Sequence, residues 1–203
     1  MSKKILATTL AIAAATAAFS SAAQAEEKWM VRARAVQIDT ANKSDPVGGV
    51  GASDRIHVSD KLIPELDITY FFTKNIAAEL ILTYPQKHDV KLDGNKLGTF
   101  KHLPPTLSLQ YHFLPDSTFR PYVSAGINYT RISNVELGGL QLEKDSWGFS
   151  YGLGADIKIA SNLYLNFDVK KVQIGSDVLS NGTKISHVNI DPWLFGIGLG
   201  MKF

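Results

Sequence analysis

At 203 residues the chain suits a single domain, and with no cysteine it can draw on neither disulfides nor thiolate-held metal. Twenty-one basic residues against nineteen acidic ones give no excess of the kind that draws a nucleic-acid partner. Mean hydropathy is near zero, and past the N-terminal region no stretch is apolar for long enough to form a transmembrane helix.

The N-terminus has the pattern of an export signal. Lys3 and Lys4 precede an alanine-rich apolar run from Ile5 to Phe19, and Ala23-Gln24-Ala25 supplies the small residues that a signal peptidase accepts. The expectation is a signal peptide over Met1 to Ala25 and a mature domain over residues 26–203. Loss of Lys3 and Lys4 leaves nineteen basic residues against nineteen acidic, so the mature chain is formally neutral.

Eight segments of alternating polarity follow: Lys28 to Ile38, Pro64 to Phe72, Ile76 to Tyr84, His102 to Phe113, Phe119 to Ile132, Ser146 to Ile159, Leu163 to Ile174 and His187 to Phe203. Short turns at Thr73-Lys74-Asn75, Leu114 to Thr118 and Ala160-Ser161-Asn162 alternate with longer connections at 39–63, 85–101, 133–145 and 175–186. The expected fold is all-β, an eight-stranded antiparallel transmembrane β-barrel. A closed sheet satisfies every backbone polar group in a bilayer while needing only alternate residues to be apolar. Short turns at one end and long loops at the other match the periplasmic and external ends of an outer-membrane barrel.

Alternation alone does not say which face meets lipid, since a soluble lipocalin-type barrel turns its apolar face inward. Aromatic placement argues for lipid. On the large-residue face Trp29, Tyr70, Phe72, Tyr111, Phe113, Phe119 and Phe203 fall toward the short turns, and Tyr84, Tyr129, Trp147 and Trp193 toward the loops. Two belts of rings bounding an aliphatic band match the two headgroup levels of a membrane. Core aromatics of a soluble barrel have no reason to sort to the ends.

The other face carries Arg32, Arg34, Lys158, Lys170 and Lys202 against Glu65, Asp67, Glu79, Asp156 and Asp168, five of each sign. Balanced charge inside a narrow barrel implies an ion-pair network that cross-links the wall and blocks a wide aqueous pore. Nearer the outer rim the inward residues are Val36, Ile38, Ile81, Ile132, Val172, Ile174 and Leu194, with Gly and Ser at the levels between, such as Ser124, Gly126, Ser150, Gly152, Gly196 and Gly198. The expectation is an apolar pocket open to the outside and floored by a polar plug. A bulge reversing the phase of the rim-level strands would instead turn Val172 and Ile174 outward.

Some patterns resemble catalytic motifs without their context. Gly148-Phe149-Ser150-Tyr151-Gly152 fits a G-x-S-x-G elbow, with Asp168 and His187 following, yet alternation continues through Ile159 where the elbow needs a sharp turn into a helix. Gly196, Gly198 and Gly200 precede no helix, so they read as inward spacers rather than a dinucleotide loop. His57, His88, His102, His112 and His187 are scattered without metal-ligand spacing, and solvation is their expected state. Neither a cofactor nor catalysis is expected.

Four stretches carry a family resemblance: Leu103-Pro104-Pro105-Thr106-Leu107, Phe119 through Thr130, Lys144-Asp145-Ser146-Trp147-Gly148 and Asp191-Pro192-Trp193. Together they resemble the OmpW family of outer-membrane proteins. The resemblance implies a barrel in the outer membrane of a Gram-negative bacterium, in contact with lipid and lipopolysaccharide. It also implies a narrow hydrophobic channel proposed to take up small apolar molecules and release them sideways into the membrane, with some members serving as bacteriocin receptors. The leading expectation is therefore passive uptake of small hydrophobic solutes. The alternative is a structural, adhesive or bacteriocin-receptor barrel with an inert lumen. Nothing in the sequence fixes oligomeric state, and the reading is compatible with a monomer.

Overall fold

The computed structural model describes residues 28–203; the expected signal peptide over Met1 to Ala25 lies outside them. Eight strands form the wall: β1 (Trp29–Asp39), β2 (Lys61–Phe71), β3 (Ile76–Leu82), β4 (Thr106–His112), β5 (Phe119–Glu136), β6 (Asp145–Lys158), β7 (Leu163–Val172) and β8 (Trp193–Lys202). Each pairs antiparallel with the next in sequence, and β8 returns to β1 to close the barrel. Closure leaves no wall strand without a neighbour on either side, the condition a sheet must meet in hydrocarbon.

The turns at the short end are tight for local reasons. The backbone N–H groups of Asn75 and Ile76 both donate to Thr73 Oγ1, while Asn75 Nδ2 donates across to the carbonyl of His112. The final strand is tied at its end by reciprocal backbone bonds between Trp29 and Phe203. By the usual arrangement of such barrels this end is periplasmic.

The outward face is apolar and exposed. Leu107, Leu109, Val123, Ile127, Leu153 and Ile197 form its aliphatic band, and Trp29, Phe72, Phe113 and Phe119 below and Tyr84, Trp147 and Trp193 above stand at its edges. Rings meet within each belt, as at Trp29–Tyr70 (4.7 Å) and Tyr129–Trp147 (4.8 Å).

Above the upper belt the structure departs from the expected loops. A spanning strand needs about 9–11 residues, but β5 has 18 and β6 has 14, so both rise beyond the membrane. Strands Gln86–Leu92 and Asn95–Leu103 form a hairpin that pairs with the upper part of β5 and with Ile56–Val58. A second sheet joins Lys43–Ser44, Thr183–Asn189, Gly175–Ser180 and Gln141–Leu142. The four connections expected as loops thus build a cap with its own core, including Ile56, Val90, Phe100, Ile132, Val178 and Val188. Two expected strands are divided accordingly. His102 to Phe113 breaks at Pro104-Pro105, and His187 to Phe203 breaks at Asp191-Pro192, where prolines supply no N–H to a ladder. The sequence held a signal for these hairpins: Asp93-Gly94 and Asn181-Gly182 both have two positive φ values, the type I′ turn that fits a twisted hairpin.

Candidate functional site

The barrel's interior below the upper belt is a compact charged cluster. Arg32 lies between Asp67 (3.0 Å) and Asp156 (2.7 Å), also donating to Thr69 Oγ1 (2.7 Å). Arg34 Nη2 faces Glu65 (2.9 Å), Asp67 (2.8 Å) and Glu79 (3.0 Å). Lys170 pairs with Asp168 at 2.6 Å, and Tyr122 donates its hydroxyl to the same carboxylate at 2.7 Å. These contacts join β1, β2, β3, β5, β6 and β7, stitching the wall across its interior. Arginine suits the role because its planar fork meets several carboxylates at once.

The expected charge balance does not survive. Lys158 is exposed at the periplasmic mouth, and Lys202 lies there too, its Nζ 4.6 Å from the Phe71 ring centre. Both sit near the ends of their strands, below the cluster. Among the described residues, three cations, Arg32, Arg34 and Lys170, therefore share the buried interior with five carboxylates, a formal charge of −2.

Over this floor lies a cavity of about 520 Å³ of empty space, counting its open mouth. Val36, Ile38, Ile81, Val172, Ile174 and Leu194 line it, with Ile63 beside them and Glu65 and Lys170 at the bottom. Ile132 packs into the cap core instead. Val172 and Ile174 are buried, so β7 undergoes no phase reversal. The glycines do not leave the volume expected of spacers. A Cβ on Gly126 would stand 2.2 Å from the Leu107 carbonyl oxygen and one on Gly198 2.1 Å from that of Ala33, so these glycines let adjacent strands approach closely. Gly196 and Gly200 are covered by the stems of Arg34 and Arg32.

One flank of the cavity coincides with an interruption of the wall. The β2–β3 ladder runs from Phe71↔Ala77 up to Leu66↔Leu82 and then stops. It resumes in the same register at Ser59, whose N–H donates to the Asp89 carbonyl, and continues to Ile56↔Leu92. Between these points both strands reverse phase: Ile63 and Ile81 face inward on odd numbers, Val58 and Val90 on even ones. Pro64 and Pro85 fall in the gap, where neither can donate a ladder bond. The cross-contacts are Thr83 Oγ1 to the Pro64 carbonyl (3.4 Å) and Lys61 Nζ to the Lys87 carbonyl (3.2 Å). Ile63 and Glu65 on one side, and Thr83 and Gln86 on the other, all line the cavity.

Of the histidines expected to be solvated, His57 is exposed, but His88, His102 and His112 are buried. His88 and His102 stack in the cap hairpin, ring centres 4.7 Å apart, and His102 also lines the cavity. The hairpin lies outside the membrane-spanning segments. Burial pushes the His102 imidazole down to about 3, with the neighbouring His88 adding to the effect, and burial likewise lowers His88. His112 lines a separate cavity at the periplasmic mouth with Arg120, Lys158 and Tyr164. The G-x-S-x-G residues assemble no triad: Ser150 is buried in mid-strand, Asp168 is held by Tyr122 and Lys170, and His187 contacts Asp177 in the cap.

The comparisons agree with this architecture. A family described as the OmpW family matches residues 25–203. The uncharacterized outer-membrane protein y4mB of Sinorhizobium fredii is 42% identical over 186 residues, covering 86% of this chain and 80% of its own. Outer membrane protein W of Vibrio cholerae is 33% identical, covering 96% and 97%. The crystal structure of the outer membrane protein OprG from Pseudomonas aeruginosa superposes with a TM-score of 0.76 at 28% identity, over 87% of this chain and 96% of that one. A match across the whole described barrel, together with full-length relatives above 30% identity, makes this chain an outer-membrane β-barrel of the OmpW family.

Proposed function

We propose that the barrel is a passive conduit for small apolar molecules, taking them from outside into the rim-level cavity and releasing them sideways into the membrane. The observation that carries this reading is the combination of an apolar cavity, a charged floor and a gap in the wall at the same level. A greasy solute gains by leaving water for the lining of Val36, Ile81, Val172 and Leu194. Below it the ion-pair cluster is polar and filled, so continued passage toward the periplasm would strip contacts from both solute and charges. The gap beside Pro64 and Pro85 opens the remaining direction, sideways into the lipid at the level of the upper belt. A further apolar cavity in the cap, about 370 Å³ of empty space counting its open mouth and lined by residues including Val58, Val90, Phe100 and Val178, supports an approach from outside. No catalytic step belongs to this reading.

The test is uptake of an apolar fluorophore into proteoliposomes. Replacing Ile81 and Leu194 with Asp puts two charges in the cavity lining, and uptake is expected to fall to that of protein-free vesicles. Unchanged uptake overturns the conduit reading.

A further inference from the structure

We infer that the outer cavity selects apolar solutes bearing a hydroxyl head, alcohols and phenols, over bare hydrocarbons and over carboxylates. The inference rests on the conduit reading and names the solute class for that same cavity. The cavity's lining is two-sided: aliphatic along Val36, Ile81, Ile174 and Leu194, polar along Thr83, Gln86, His102, Thr106 and Asn128. On the polar side most groups satisfy one another. Asn128 Nδ2 donates to Thr106 Oγ1 (2.9 Å), and Thr130 Oγ1 donates to Asn128 Oδ1 (2.6 Å).

Gln86 and His102 are the exceptions. Gln86 Nε2 donates to the Tyr84 carbonyl at 2.8 Å, and because a carbonyl only accepts, this fixes the amide's orientation. Its Oε1 is left buried with no donor, and His102 Nδ1 is equally buried with no partner. The two residues oppose each other across the hairpin ladder, so their side chains are neighbours on the inward face. Just above, His88 Nδ1 lies 2.7 Å from the Ser59 carbonyl, which can only accept, so His88 Nε2 is a further buried acceptor without a donor.

This pair has a chemical complement. A neutral imidazole offers one donor and one acceptor, and burial keeps His102 neutral. A hydroxyl group both donates and accepts, so it can give its hydrogen to Gln86 Oε1 and take one from the imidazole. A hydrocarbon leaves both groups unpaired, and a ketone or ether has no hydrogen for Gln86. A carboxylate has none either, and it would face a floor of formal charge −2.

The test compares 1-naphthol, naphthalene and 1-naphthoate with the whole barrel in lipid nanodiscs, using the His102 imidazole resonances as the readout. After correction for partition into the lipid, 1-naphthol is expected to bind about fivefold more tightly than naphthalene, the worth of one net hydrogen bond. It should also shift the His102 signals, while 1-naphthoate leaves them unmoved. Gln86→Met keeps the length but removes the acceptor, and it should abolish the preference while naphthalene still binds. If that variant does not fold, His102→Phe removes the other half of the pair and should have the same effect, read from the Trp193 indole signal. Equal affinity of wild type for 1-naphthol and naphthalene, or a preference that survives the substitution, overturns the inference. Failure of all three compounds to bind overturns the conduit reading instead.

Discussion

The two levels of the barrel interior come from the same alternating strands and hold opposite chemistries. Lower down, long charged side chains fill the lumen and the ladders beside them are paired, β1 with both neighbours and β2 with β3 from Phe71 to Leu66. Higher up, branched aliphatic side chains leave a cavity, and the β2–β3 ladder is broken beside it. A barrel of this width has room to be either packed or open at a given height, not both. Rigidity is therefore concentrated where arginine bridges strands, and access where proline withholds donors.

The sharpest way to break this contrast is to attack the floor. Arg34→Met leaves Glu65, Asp67 and Glu79 facing one another without their shared cation, and the expected loss is about 3–5 kcal/mol in urea unfolding from lipid vesicles. A loss under about 1 kcal/mol would mean the cluster does not brace the wall. The upper level should respond in transport rather than stability. With no native cysteine, a pair at Pro64 and Tyr84, which oppose each other in the interrupted register, can cross-link the gap. Oxidation of Pro64→Cys/Tyr84→Cys is expected to cut apolar uptake about tenfold, with recovery on reduction, while unfolding stays cooperative. Uptake indifferent to the cross-link would move the exit elsewhere.

Acid separates the two levels differently. The buried His102 is held near 3 against an ordinary value of 6.5, so the unfolded chain binds a proton more readily than the folded cap. Cap stability is then full above about 6.5 and declines by up to about 1.4 kcal/mol per pH unit on acidification toward 3. Amide protection factors in residues 86–103, taken relative to the intrinsic exchange rate at each pH, should fall across that window, and His102→Phe should remove most of the dependence. The smallest effect is expected at the mouth. Lys158→Ala lies outside the cluster, and a change within about 0.5 kcal/mol is expected in the same urea assay.

Much of this was readable before the structure. Period-two alternation placed all eight wall strands, and the sorting of Trp, Tyr and Phe to two ends gave the lipid-facing side, because a membrane imposes both patterns on the chain directly. The cap was not read as structure, since its strands are short, polar on one side and interrupted by Gly and Pro. Only the turn dipeptides Asp93-Gly94 and Asn181-Gly182 marked them. The burial of His88 and His102 was missed for the same reason: solvation is the sensible expectation for a histidine in a loop, until the loop folds into a hairpin.

Sequence alone determined which face the residues of the eight wall strands take, since side chains alternate along an extended backbone. Height within the barrel was another matter. The stagger between neighbouring strands, fixed only when the sheet closes, decided that Lys158 and Lys202 fall below the charged cluster and leave it at −2. It also brought Pro64 and Pro85 to the same level, so that two separate donor losses become one opening beside the cavity.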